Sequence, residues 1–107
     1  MFYDEVKIQQ INSAEDYTQA WETMVEEFPD HKDTNLLLQY EWILIAKKDN
    51  QVLGVITANK YLPKKALLCD IVVKKEYRSR GIGMKLLKGM SENLRNFNFT
   101  HLVGFTP

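Results

Sequence analysis

The residues best suited to chemistry lie in the second half of the chain, in the run Val73-Lys74-Lys75-Glu76-Tyr77-Arg78-Ser79-Arg80-Gly81-Ile82-Gly83. It joins an apolar stretch, Ala66 to Val73, to a stripe at Ile82, Leu86, Met90, Leu94 and Phe97 whose spacing predicts an amphipathic helix. A helix N-terminus offers unpaired N–H groups and a partial positive charge, and glycine lets a ligand approach the backbone closely. Such a loop suits a phosphate group. Lys74, Lys75, Arg78 and Arg80 surround it with positive charge. Read alone, the same glycines form a tight turn and the arginines are solvated. The wording excludes two phosphate loops. A Walker loop needs Lys-Ser or Lys-Thr after its last glycine, where this chain has Met84. A dinucleotide fingerprint needs glycine or alanine where this chain has Leu86.

Asp70 interrupts the apolar stretch just ahead of this loop. A carboxylate in a strand either serves as a general base or satisfies local donors. Cys69 beside it reads as a small buried residue, since no histidine is positioned by the sequence to activate it. A single cysteine excludes a disulfide framework and a multi-cysteine metal cluster, and His31 and His101 are too far apart for a local metal motif. No metal is expected.

The elements that must position these residues follow from periodicity. Val6, Ile8 and Ile11 predict an opening strand over 4–11. Ser13 is a helix N-cap, with Tyr17, Ala20, Trp21, Met24 and Phe28 at helical spacing and Pro29 as the stop. Asp33 caps a short second helix carrying Leu36, Leu37 and Tyr40. Trp42 to Ala46 and Val52 to Ile56 form a hairpin, and a loop containing Pro63 leads to the Ala66–Val73 strand. A last strand spans His101 to Phe105. The order β-α-α-β-β-β-α-β over residues 1–107 describes one α/β domain, a mixed sheet with helices on its faces.

Composition agrees. Leu, Ile, Val and Phe make up 31 of 107 residues, enough for a folded core. No apolar run approaches the roughly 18 residues of a membrane span. Met1 is followed by Phe2-Tyr3-Asp4-Glu5 rather than by a signal peptide, so a cytoplasmic protein is expected. The net charge of zero hides a division: residues 1–46 hold ten acidic and two basic side chains, and residues 47–107 hold four acidic and twelve basic. Either the two halves meet ligands of opposite charge or two solvated surfaces complement each other. Nucleic acid is not an expected partner, because the lysine pairs at 47–48, 64–65 and 74–75 sit in turns without base-stacking aromatics.

The loop resembles the acetyl-coenzyme A signature of the GNAT superfamily of N-acetyltransferases, Gln/Arg-x-x-Gly-x-Gly/Ala, with Arg78, Gly81 and Gly83 at its defined positions. Strand, loop and helix occur in the matching order, and the agreement in element order runs from Val6 to Phe105. The resemblance implies a mostly antiparallel sheet with helices on both faces. It also implies acetyl-CoA as co-substrate, held at two places. Backbone groups of Ile71, Val72 and Val73 take the pantetheine arm, and the N–H groups of Arg78, Ser79, Arg80, Gly81, Ile82 and Gly83 take the pyrophosphate.

The implied reaction is attack by a neutral primary amine on the acetyl thioester, with Asp70 as candidate catalytic base. The acceptor is a small-molecule or peptidyl amine. Family members usually continue into a further helix bearing an acid tyrosine and then two strands, and the sequence ends before them, being either naturally short or a piece of a longer protein; none of Tyr3, Tyr17, Tyr40, Tyr61 and Tyr77 stands at a matching position. Two functions therefore stand side by side, an N-acetyltransferase and a non-catalytic acetyl-CoA-binding or regulatory module. The uncovered edge of the final strand predicts a homo-oligomer.

Overall fold

The computed structural model describes residues 2–30 and 36–104. It corrects the opening: instead of a strand over 4–11 the chain starts with a one-turn helix α1 (Phe2–Glu5) and a three-residue strand β1 (Lys7–Gln9). The Tyr3 carbonyl accepts from the Val6 amide at 3.2 Å, and Phe2 stacks on Tyr77 with ring centroids 5.7 Å apart. Those contacts hold the first residues in a turn, which local alternation could not reveal.

Helix α2 (Ala14–Glu27) starts where the cap predicts, the Ser13 hydroxyl accepting from the Asp16 amide at 3.0 Å. Of the expected second helix, the Asp33 cap lies outside the described residues, and Leu36–Gln39 form a single 3₁₀ turn that buries Leu36 and Leu37. Three strands follow as two hairpins, β2 (Trp42–Lys48), β3 (Gln51–Leu62) and β4 (Lys65–Val73). The expected loop around Pro63 is a tight turn, made possible by Lys64 in the left-handed region at φ 66°. Helix α3 (Ile82–Arg95) and strand β5 (His101–Gly104) complete the fold; Phe97 falls beyond the helix, and Phe105 lies outside the described residues.

The sheet order is β1-β2-β3-β4-β5, antiparallel throughout except for the parallel β4–β5 pair. Each face carries one long helix. Ala20 and Met24 of α2 pack with Ile45, Val52, Val55 and Val72, while Ile82, Leu86, Met90 and Leu94 of α3 pack with Leu44, Leu53, Ile56 and Ala66. Burial of alternating residues on both faces explains why the central strands read as nearly continuous apolar runs.

Candidate functional site

The site begins with an irregularity in β4. Thr57 pairs with Asp70 but Ala58 pairs with Leu68, so Cys69 is an extra residue in the strand. A bulge of this kind bends its strand and interrupts pairing. On the other edge of β4, β5 pairs only with Lys65–Leu68. From Cys69 onward that edge has no strand partner among the described residues.

Which backbone groups face the open edge follows from one hydrogen bond. The Lys74 amide donates to the Leu53 carbonyl at 2.8 Å, and bonded and non-bonded pairs alternate in an antiparallel ladder. With Gly54 opposite Val73 and Val55 opposite Val72, the backbone groups of Val72 turn toward β3, and those of Ile71 and Val73 turn outward. A Cβ added to Gly54 would lie 2.9 Å from the Val72 carbonyl oxygen, in keeping with that direction. The Val73 carbonyl is taken by Arg78 Nε at 2.9 Å. Ile71 therefore presents both its N–H and its C=O at the edge.

The loop after β4 is drawn into shape by its own side chains. Lys75–Tyr77 form a 3₁₀ turn in which the Arg78 amide donates to the Lys75 carbonyl. Ser79 at φ 64° and Gly81 at φ 80° then alternate in the left-handed region with ordinary residues between them. Such alternation points successive amides to one side and builds a concave anion site. Among the described residues no protein acceptor takes the amides of Ser79, Arg80, Gly81, Ile82 or Gly83. Gly81 caps α3 and can carry no bulk, since an added Cβ would lie 3.1 Å from the Tyr3 ring. Gly83 stands over Ile71 and Val73, with their Cγ2 atoms 3.9 and 4.0 Å from where its Cβ would be. The amide cluster and the open strand edge are thus neighbours. Three nearby basic side chains are engaged within the protein: Arg78 Nη2 meets Glu27 at 2.8 Å, Arg80 lies over the Phe2 ring at 5.0 Å, and Lys85 donates to the Tyr3 carbonyl at 2.7 Å.

Asp70 points to the opposite face, toward α2. Thr57 Oγ1 donates to its Oδ2 at 3.1 Å, and Tyr40 lines the same cavity as Asp70. Burial first, and then the neighbouring Asp70 carboxylate, push the Tyr40 phenol well above its ordinary range, so it stays protonated. Tyr40 is held in place by its neighbours. Asn59 Oδ1 accepts from the Glu41 amide at 2.7 Å, Asn59 Nδ2 donates to the Gln39 carbonyl at 3.4 Å, and the Glu41 carboxylate accepts from the Lys60 amide at 2.9 Å. Met24, Phe28, Leu36, Gln39, Tyr40 and Asp70 line a cavity of about 170 Å³. Cys69 is half-buried; burial, followed by the charge of Asp70, raises its thiol, the reverse of what a nucleophile needs.

Part of the charge division resolves into internal pairing. Lys47–Asp16 at 2.8 Å, Lys48–Glu5 at 3.4 Å and Arg78–Glu27 at 2.8 Å each join a base of the second half to an acid of the first.

A model of the acetyltransferase (GNAT) family matches residues 9–106. The chain belongs to that family. Three solved structures show how widely this GNAT fold is shared. An aminoglycoside acetyltransferase from an uncultured soil metagenomic sample, in complex with sisomicin, is 18% identical with a TM-score of 0.78, over all of this chain and 81% of that one. An aminoglycoside N-acetyltransferase in complex with CoA is 19% identical with a TM-score of 0.77, over 95% and 77%. A GNAT family acetyltransferase from Brucella melitensis in complex with acetyl-CoA is 18% identical with a TM-score of 0.73, over 95% and 76%. No curated protein matches the sequence. Among the described residues of this GNAT chain, no helix is long and apolar enough to cross a membrane.

Proposed function

We propose that the protein is an acetyl-CoA-dependent N-acetyltransferase acting on a primary amine. The observation that carries this reading is the row of unpartnered amides from Ser79 to Gly83 beside the outward backbone of Ile71. These groups fit the co-substrate: five amides for a pyrophosphate, and one residue of open strand edge for an amide-bearing arm. Val72, whose backbone is turned to β3, contributes packing instead, and Arg78 holds the loop to the end of β4.

Bound acetyl-CoA supplies an activated acetyl carbon. Asp70, on the face away from the amide cluster, takes a proton from the acceptor ammonium so that the nitrogen can attack. The Ile71 N–H is the strand donor available to a developing oxyanion. A C–N bond forms as the C–S bond breaks. The ammonium gives up two protons in all, one ending on the thiol and the other in solvent.

Acetyl-CoA binding by titration calorimetry, followed by thiol release with added amine, tests the reading. Binding with turnover is expected. Binding without turnover leaves a regulatory module, and no binding overturns the assignment. Self-association belongs to the same proposal: among the described residues no strand pairs with the far edge of β5. Sedimentation at micromolar concentration is expected to show a dimer, and a clean monomer contradicts it.

A further inference from the structure

The cavity beneath Asp70 has walls unlike the rest of the site. Met24 and Leu36 are buried hydrocarbon, Phe28 adds a ring, and Gln39 is neutral. Tyr40 is neutral because its phenol stays protonated. Among the described residues one formal charge therefore lines the cavity, the carboxylate of Asp70.

We propose that this cavity is the acceptor site and that it selects a primary amine borne on a small, uncharged, largely hydrocarbon group over polyamines and amino sugars. The proposal rests on the acetyltransferase reading and narrows it to a substrate class. One carboxylate balances one ammonium; a second ammonium in the same space would find no counter-charge among the described lining residues. The volume, about 170 Å³, lies below the roughly 300–1,000 Å³ of pockets that enclose drug-sized ligands. It suits a compact group, not an oligosaccharide. The nearby acidic surface of α2 gives a polycation less than its composition suggests, because Glu27 is already paired with Arg78 at 2.8 Å.

Tyr40 is the positioning residue of this arrangement. The Thr57 hydroxyl holds the carboxylate, the Tyr40 phenol forms a wall of the cavity beside it, and the Asn59 and Glu41 bonds fix the backbone on either side of Tyr40. The amine is thereby directed to one place on the α2 face of β4.

The test uses the full chain with acetyl-CoA at saturation and three acceptors: benzylamine, spermidine and sisomicin. Benzylamine is expected to exceed both others in kcat/KM by roughly tenfold or more. Phe28→Trp, which fills the cavity, is expected to raise the benzylamine KM by roughly tenfold while the acetyl-CoA Kd stays unchanged. Gln39→Trp, at an exposed position of the rim, serves the same purpose if the core variant fails to fold. Spermidine or sisomicin turned over as well as benzylamine, or a KM indifferent to both substitutions, overturns the proposal. Should acetyl-CoA bind without turnover, benzylamine binding in the presence of CoA is read by NMR line broadening. Selective binding lost in the tryptophan variants supports the site, and its absence overturns the site while leaving the CoA assignment standing. Failure to bind acetyl-CoA overturns both.

Discussion

Arg78 turns back on the strand that precedes it, its Nε donating to the Val73 carbonyl at 2.9 Å while its Nη2 meets Glu27 at 2.8 Å. The Arg78 side chain, one of four that surround the loop with positive charge, is thus a fastener between β4, the loop and α2. Half-exposed ion pairs contribute little stability, so its role is chiefly geometric. It satisfies an outward carbonyl and shapes the loop whose amides remain open. Anion binding is left to the backbone.

A first prediction follows for Gly81. With φ at 80° and the Tyr3 ring 3.1 Å from an added Cβ, a branched side chain strains the loop by about 1–3 kcal/mol and turns its amides. Gly81→Val is expected to weaken acetyl-CoA binding on the order of tenfold or more. Arg80→Ala removes a contact with Phe2 worth about 0.5–1 kcal/mol and should change affinity far less. Calorimetry on both variants decides, and equal affinity in the wild type and Gly81→Val would refute the backbone cradle.

Asp70 supplies the second. As general base, its replacement in Asp70→Asn is expected to lower kcat by about 10²–10⁴ and to leave the acetyl-CoA Kd unchanged. A folded variant with unaltered rate and unaltered pH dependence would return Asp70 to a structural partner of Thr57.

Much of this is legible in the sequence, and the parts that are not share a cause. The Ser13 cap, the helical stripes up to Met24 in α2 and Leu94 in α3, and the first hairpin depend on neighbours in sequence, and each stands where periodicity puts it, whereas the expected loop around Pro63 is the turn of a second hairpin. The turn at Phe2–Glu5 depends on Tyr77, Arg80 and Gly81, more than seventy positions away. Tyr40 stands at no family position, so no motif marks it in the sequence. Its place is nevertheless implicit in the two hairpins: Trp42 lies opposite Ala58, and the next residue, Thr57, lies opposite Asp70. Counting register across three strands would have brought Tyr40 to the carboxylate, but the bulge at Cys69 shifts that count by one residue and has no local signature.

Acid should act through Asp16. The hydrogen bond from Lys47 is the largest influence on its carboxyl and holds it below its ordinary value of 3.8, against the opposing effect of burial. Because the folded state lowers this group, its contribution to stability is present above that value and lost as pH falls through the still lower folded value. Asp16→Asn should therefore be less stable than wild type near neutral pH, with the gap closing below about pH 3.8. Urea midpoints of the two proteins across that range provide the check; a gap independent of pH would rule out the linkage.

Gly89 allows a prediction in which the sign of one substitution depends on its partner. Inside a helix glycine is about 0.8–1.0 kcal/mol less favourable than alanine, so Gly89→Ala in α3 would ordinarily stabilise. Here an added Cβ would lie 2.6 Å from Ile8 Cγ2 and 3.3 Å from Ile8 Cβ. Ile8 is branched at Cβ and held in β1 opposite Ala46, so it has no rotamer with which to withdraw. The clash forces α3 and β1 apart, at a cost of about 1–3 kcal/mol that outweighs the gain in helix propensity. Gly89→Ala is expected to lower the denaturation midpoint in the wild type and to raise it in an Ile8→Ala background, where the obstructing methyl is gone. Chemical denaturation of the four proteins of this cycle measures the reversal directly. A rise in both backgrounds would mean that the helix does not approach β1 this closely in solution.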